Sequence, residues 1–367
     1  MDGVTEGNTW LPAPAGEHRG PKARDQAAPF YNPAMRSNRD LSVLLVAAYA
    51  GGRGRPVDVA DVLAGTGARS LRLAKEVGHD LDLAITVHGN DGDPKAAAAM
   101  REGAERNGVA LSIRHGDAHS FLASRRFDVV DIDPYGSPTP FLDAAVRATR
   151  HDGLLCVTAT DTAALAGRFP RVCRRRYGAQ HGLHAYPWRS EIGLRILAAA
   201  AMQAAGHFDR TATPVLSVFG GHWMRVVLRI EDGRGKADAV LRKLAWAIPA
   251  GLGATFAPAP PGGPAAGPLW SGPLHDRRLV AAMQAVDAPA HAHTRRLLQH
   301  MADEADAPAF WHTLGDLRRH FGRDGPSRDR LLARLRDAGH KASRTHLDPE
   351  GVRTDAPEPV LADCWGT

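Results

Sequence analysis

Four apolar segments, each ending in a glycine turn or an acid, constrain this chain more than any other feature of its sequence. Val57 to Leu63 runs into Ala64-Gly65-Thr66-Gly67-Ala68-Arg69, and Leu83 to His88 leads to Asn90-Asp91. A third segment near Leu111 to Arg114 precedes Gly116-Asp117-Ala118, and Phe127 to Ile132 precedes Asp133-Pro134-Tyr135. Short apolar runs bounded by turn residues are strands buried on both faces, the kind a parallel sheet uses. Asp93-Pro94 supplies an N-cap and a first helical residue for one crossover helix. Only Gly220-Gly221-His222 separates the apolar runs Val215 to Phe219 and Val226 to Ile230, so the last strand should be antiparallel. The expected fold class is α/β, a Rossmann-like sheet followed by a smaller, mainly helical C-terminal domain.

In an open parallel sheet, ligands bind beyond the carboxyl ends of the strands. Gly65 and Gly67 would let a ligand approach the backbone, but Ser70 replaces the third glycine of a dinucleotide fingerprint. Asp91 stands where such sheets hold ribose hydroxyls. Asp117 can accept from an adenine amino group. Asp133 and the Pro134 carbonyl can accept the two N–H bonds of a ring-attached amine, drawing it towards tetrahedral geometry as it acquires positive charge. Tyr135 offers a flat face on which a base can stack. A strand-ending turn would use the same Asp, Pro and Gly residues. Glycine turn, two acids and Asp-Pro-Tyr in this order point to a methyltransferase dependent on S-adenosyl-L-methionine.

Longer blocks carry a resemblance. Phe30-Tyr31-Asn32-Pro33-Ala34-Met35-Arg36-Ser37-Asn38-Arg39-Asp40, Asp133 through Pro138 with Phe141-Leu142-Asp143, and Glu191 to Leu197 resemble signatures of the tRNA guanine-N2 dimethyltransferases, which modify guanine 26. Gly267 to Leu274 and Ala342 to His346 are similar to further blocks of that family, so the resemblance spans nearly the whole chain. It implies cofactor contacts at Arg39, Arg69, Asp91, Asp117 and Ala118, beside the turn of Gly65 and Gly67, and a catalytic carboxylate at Asp133 beside the Pro134 carbonyl. It places Phe30 and Tyr135 against the target guanine. Plainer roles exist for some of these: Arg39 as a helix cap, Arg69 as a surface partner of Glu76, Phe30 as core.

A net charge of +6 favours a polyanionic partner, here tRNA. Arg171, Arg174, Arg175 and Arg176 cluster after the Asp161 loop and are the expected RNA contacts, although a solvated helix face would look the same. The family commonly carries a cysteine cluster for zinc before the Gly-Pro-Leu-Trp block. This chain has only Cys156, Cys173 and Cys364, so no metal is expected. Ala257 to Pro268 reads instead as a bare Pro/Gly-rich loop, with Trp246, Phe256 and Trp270 as packing anchors, and His291 and His293 read as solvent-facing. The organisation expected is an N-terminal arm and lead-in helix over 1–52, a methyltransferase domain over 53–232 and a tRNA-binding, helix-turn-helix-like domain over 233–367. No signal peptide or membrane-spanning run is visible, and the scattered cysteines suit a reducing compartment, so a cytoplasmic enzyme with no membrane partner is expected. Alternative readings are an N-methyltransferase for another amine, in rRNA, DNA or peptide, and a non-catalytic RNA-binding homologue. Oligomeric state leaves no trace in the sequence.

Overall fold

The computed structural model describes residues 3–13, 31–260 and 262–366. A hairpin, β1 (Gly3–Glu6) and β2 (Thr9–Pro12), precedes a lead-in helix, α1 (Arg36–Gly51), which is buried along most of its length. The alternation expected from sequence then follows: β3 (Val57–Asp61), α2 (Ala68–Arg72), β4 (Ile85–Asp91), α3 (Pro94–Asn107), β5 (Ser112–His115), α4 (Ala118–Ser124), β6 (Phe127–Ile132), α5 (Leu142–Ala148) and β7 (Thr149–Ala159). Short helices α6 (Thr162–Leu165) and α7 (Pro170–Tyr177) and strand β8 (Gln180–His181) lead to the long helix α8 (Arg189–Gly206). The hairpin β9 (Arg210–Phe219) and β10 (Met224–Asp232) completes the sheet.

The seven strands lie in the order β5-β4-β3-β6-β7-β10-β9. The first five pair in parallel, whereas β10 is antiparallel to both β7 and β9, as the short Gly-Gly-His connection requires. From β3 the chain steps outward to β4 and β5, then returns to β6 on the other side of β3. That reversal opens a crevice at the carboxyl ends of β3 and β6, where α/β sheets bind ligands. One face of the sheet packs under α4, α5 and α8 through Phe127, Val130, Leu155 and Ile196; the other packs under α1 through Leu44, Val59, Val129 and Val227. Each fully buried aliphatic side chain contributes about 1.5–3 kcal/mol, so the sheet is the rigid platform for whatever sits at its edge.

Beyond Asp232 the chain does not change core at once. After α9 (Arg234–Leu241), the chain forms β11 (Leu244–Ala250), β12 (Gly253–Ala257) and β13 (Ala266–Trp270), which with β8 make an antiparallel sheet ordered β12-β11-β13-β8; the segment expected to be a bare loop lies mainly between β12 and β13 and ends inside β13. Proline is excluded from central strands because it lacks an N–H. Pro249 is tolerated because β11 pairs with β13 only as far as Ala247, so its side towards β13 needs no donor. Of the three expected anchors, Trp270 is buried, while Trp246 and Phe256 are half-buried.

Helices α10 (Arg277–Gln284) and α11 (Ala292–Glu304) pack on α1 through Val280, Met283, Leu298 and Met301, extending the core on that face of the seven-stranded sheet. A separate small core, with Leu317, Leu331, Leu335, Val352 and Trp365, belongs to β14 (His312–Thr313), α12 (Leu314–Phe321), α13 (Arg328–Asp337), β15 (Ala342–Arg344), β16 (Gly351–Thr354) and α14 (Glu358–Gly366). The two helices expected to resemble a helix-turn-helix, α12 and α13, are followed by the β15–β16 hairpin, with β14 on its outer edge. No helix among the described residues is long and apolar enough to cross a membrane.

Candidate active site

The ends of β3, β4 and β6 open on a cavity of about 780 Å³. Its wall includes Tyr31, Met35 and Arg39 from the lead-in segment, Leu63 to Thr66 and Arg69 from the first turn, Asp91, Asp133 to Tyr135, and Phe141, Thr160 and His222. The size lies in the range of small-molecule sites.

The glycine turn after β3 is closed by Asp91. Its Oδ2 accepts from Gly65 N at 2.8 Å and its Oδ1 from Asp93 N at 2.9 Å, so the carboxylate bridges two loops and keeps further lone pairs for a ligand. Gly65 needs its left-handed φ of +55°. Gly67 is not in the cavity wall. A Cβ there would lie 2.4 Å from Met100 Cγ, so its glycine lets α2 approach α3 rather than a ligand approach the backbone. Asp117 and Ala118 are likewise outside the wall. Asp117 caps α4, accepting from Ser120 N at 2.9 Å with its side chain 64% exposed, and Ala118 is packed beneath that helix start.

The Asp-Pro-Tyr corner is fastened to the end of β7. Gly136 N donates to Thr160 Oγ1 at 2.7 Å, and Thr160 N donates to Gly136 O at 2.9 Å. Pro134 is buried beneath the corner, while Tyr135 is 50% exposed at the cavity edge. Asp133 faces the other way, its side chain only 14% exposed, and its Oδ2 accepts from Arg69 Nη2.

Arg69 is therefore neither a surface residue nor a partner of Glu76, which bonds Arg72 instead. Its guanidinium also lies 3.2 Å from Asp131 and 3.9 Å from Asp61, and it donates to Asn38 Oδ1 at 2.9 Å. Arg225 joins from β10, donating to Asp131 Oδ1 at 3.1 Å and Thr158 Oγ1 at 2.8 Å. Three buried carboxylates thus share two arginines. Burial pushes the Asp61 carboxyl up to about 6, with Arg69 opposing and the charges of Asp131 and Asp133 adding to the rise. Burial also raises Asp133, Arg69 opposes it, and the neighbouring Asp131 charge helps keep it raised. Asp131 meets the same burial, but Arg225 and Arg69 outweigh it and hold it below the usual carboxylate range.

Sequence reasoning missed Asp61, Asp131 and Arg225, although acids inside apolar strands were a visible signal. It also missed Glu6, whose hairpin brings it to Arg39: Arg39 Nε donates to Glu6 Oε2 at 2.8 Å and Nη2 to Oε1, while Tyr31 OH donates to Glu6 at 2.6 Å. Arg39 is in the wall but held by this carboxylate, not by a helix end. Phe30 lies outside the described residues.

On α7, at the same end of the sheet, Arg171, Arg174, Arg175 and Arg176 are all exposed. Arg176 bonds Asp161 at 2.8 Å, which is also held by Tyr177 OH. His291 caps α11, with Nδ1 accepting from His293 N, and both histidines are exposed as expected.

Known proteins are similar to this chain over most of its length. Residues 17–250 and 263–365 match the family model of N2,N2-dimethylguanosine tRNA methyltransferase. A tRNA (guanine(26)-N(2))-dimethyltransferase of Thermococcus kodakarensis is 38% identical over 362 residues, covering 91% of this chain and 92% of its own length. Its counterpart in Methanocorpusculum labreanum is 32% identical over 98% of this chain and 96% of its own. Trm1 from Pyrococcus horikoshii, solved in complex with S-adenosyl-L-methionine, superposes with a TM-score of 0.85 at 29% identity over the whole of both chains.

Proposed function

The chain belongs to the N2,N2-dimethylguanosine tRNA methyltransferase family, and from that premise we propose how its residues methylate the exocyclic N2 of guanine in tRNA, at position 26, using S-adenosyl-L-methionine. The observation that carries the reading is the pairing of exposed Tyr135 with largely covered, Arg69-held Asp133 at one cavity edge.

The cavity fits the cofactor. Gly65 leaves the turn without a Cβ, Asp91 offers unused lone pairs beside it, and Arg39 closes the far wall. When bound, S-adenosyl-L-methionine supplies the electrophilic methyl group. Asp91 suits the ribose hydroxyls, and Arg39 and Gly65 the rest of the molecule. Asp117 and Ala118, at the start of α4, stay our candidates for the adenine end of the molecule, Asp117 with an exposed carboxylate that uses only Oδ1 for the cap.

Guanine 26 must leave its stack, at a cost of a few kcal/mol. Stacking on Tyr135 returns about 1–3 kcal/mol. With Oδ2 held by Arg69, Asp133 presents Oδ1 to one amine N–H while the Pro134 carbonyl takes the other, aligning the nitrogen lone pair on the methyl. Positive charge developing on nitrogen is met by a fixed carboxylate in a low-dielectric site, an arrangement whose loss typically costs about 3–4 kcal/mol. The raised proton affinity of Asp133 suits it to receive the departing proton. A singly methylated nitrogen keeps one N–H and its lone pair, so the same residues can direct a second transfer. Arg171, Arg174 and Arg175 on α7 are placed to hold phosphates beside the site, with Arg176 partly committed to Asp161. The small domain with α12 and α13 is our candidate for further tRNA contact. We place the enzyme in the cytoplasm, where its free, buried cysteines remain reduced.

Incubation of a tRNA transcript with isotopically labelled S-adenosyl-L-methionine, followed by nucleoside mass spectrometry, tests this reading. N2-methyl- and N2,N2-dimethylguanosine should form, and a transcript with adenine at position 26 should take up no label. Label in rRNA, DNA or peptide instead of tRNA would overturn it.

A further inference from the structure

We propose that His275, Glu304 and His346 form a binding site for one divalent transition-metal ion of the zinc class. The expectation that no metal is held weighed the cysteines and the His291–His293 pair; the fold assembles a different donor set. His275 lies between β13 and α10, Glu304 is the last residue of α11, and His346 follows β15. Their candidate ligand atoms all lie within 4.8 Å of one another. Their side chains are 1%, 1% and 0% exposed, respectively.

The geometry suits an ion. His275 Nε2 is 3.6 Å from Glu304 Oε1, too long for a hydrogen bond. Zinc bonds of about 2.0–2.2 Å set neighbouring tetrahedral ligands about 3.4 Å apart, close to this separation. His346 Nδ1 approaches the same oxygen, and the two imidazoles stand edge to face with centroids 5.3 Å apart. Among the described residues, both ring nitrogens of His275 and Nε2 of His346 have no hydrogen-bond partner, although they are buried. Buried polar atoms are normally paired, and a ligated nitrogen on each ring would remove part of this deficit. His346 bonding Glu304 without an ion would leave His275 unexplained.

The surroundings complete the site. Arg353 Nε donates to Glu304 Oε2 at 2.6 Å, which fixes the carboxylate with Oε1 towards the histidines, the usual task of a group behind a ligand. Arg353 also pairs with Glu191 at 2.9 Å, and Glu191 with Arg195 at 2.7 Å. Two arginines against two glutamates leave the neighbourhood close to neutral, so a cation is not repelled. Two histidines and a glutamate with a fourth position open is a zinc donor set, and a cavity of about 450 Å³ lined by His275 and Glu304 can supply a water. The ion would join the α10–α11 layer to the β15–β16 hairpin, fastening the small C-terminal domain to the methyltransferase core.

The test uses untagged full-length protein, stripped with a chelator and titrated with Zn²⁺ and Co²⁺. We expect one equivalent to bind, the visible absorption of tetrahedral Co²⁺ to appear, and the melting temperature to rise on addition of metal. His275→Gln and His346→Gln should each weaken binding more than about 100-fold, beyond the 10- to 100-fold typical of residues behind the ligands. His291→Ala with His293→Ala should leave the metal stoichiometry and affinity unchanged. The proposal is overturned if wild-type protein binds no Zn²⁺, if its Co²⁺ complex lacks the tetrahedral spectrum, or if both glutamine variants bind as wild type does. The first two outcomes need no variant to fold.

Discussion

Arg69 donates from Nη2 to Asp133 Oδ2 at the floor of the cavity, with side chains 7% and 14% exposed. The bond fixes the catalytic candidate and opposes the rise in its proton affinity caused by burial. Replacing Arg69 with Met should lower kcat by at least about tenfold and move the acid limb of the pH–rate profile to higher pH, because the Asp133 pKa rises further without the guanidinium. An unmoved acid limb with normal kcat would return Arg69 to a packing role.

Asp61 gives a stability prediction with a definite sign. Its carboxyl is raised to about 6 in the folded protein, so its contribution is fully present below the unfolded value and is lost as pH rises through about 6. A shift of that size corresponds to about 3 kcal/mol. Asp61→Asn should therefore flatten the pH dependence of melting between about pH 4 and 6, with Ser70, now bonded to Asp61 Oδ2 at 2.7 Å, retaining a partner. Thermal melts at stepped pH with a slope unchanged from wild type would contradict this.

Asp91 serves the turn as well as the cofactor. Asp91→Ala frees the N–H groups of Gly65 and Asp93 and removes the proposed ribose partner. Calorimetry should show the dissociation constant for S-adenosyl-L-methionine rising at least about tenfold, the effect of losing a charged hydrogen bond. Asp91→Asn, which keeps one acceptor, should fall between.

The parallel strands were legible because β3, β4 and β6 are built on apolar runs that end in turn residues or acids, whereas their order in the sheet was not. Asp91, Asp133 and Tyr135 reach the cavity because each directly follows such a run. Glu6 was not legible, since nothing local says that a hairpin 33 positions away will meet Arg39. Gly67 and Asp117 have the right residue type beside the right strand, and each also serves the local fold, in α2–α3 packing and in the α4 cap. The β11–β12 hairpin was hidden by Pro249 and flanking glycines, whose cost disappears where β11 has no partner on one side. The grouping of His275, Glu304 and His346 depends on contacts across 71 positions, beyond the reach of periodicity or spacing.

The arginines of α7 should act through phosphates. Replacing Arg171, Arg174 and Arg175 with Ala should weaken tRNA binding and reduce the slope of log affinity against log salt by up to about 0.9 for each phosphate no longer neutralised. Arg176→Ala should do less, since Asp161 already holds it. Cofactor affinity should stay unchanged; an unaltered salt slope would make this a solvated helix face.

The most direct test of the proposed mechanism is methyl transfer by Asp133→Asn, measured as label incorporated into tRNA, alongside calorimetric binding of S-adenosyl-L-methionine to the same sample. We predict a loss of at least about 100-fold in kcat, because the amide no longer meets the charge developing on the guanine nitrogen, with cofactor affinity retained. Turnover close to wild type with a folded, cofactor-binding variant would contradict the mechanism and move the chemistry away from Asp133.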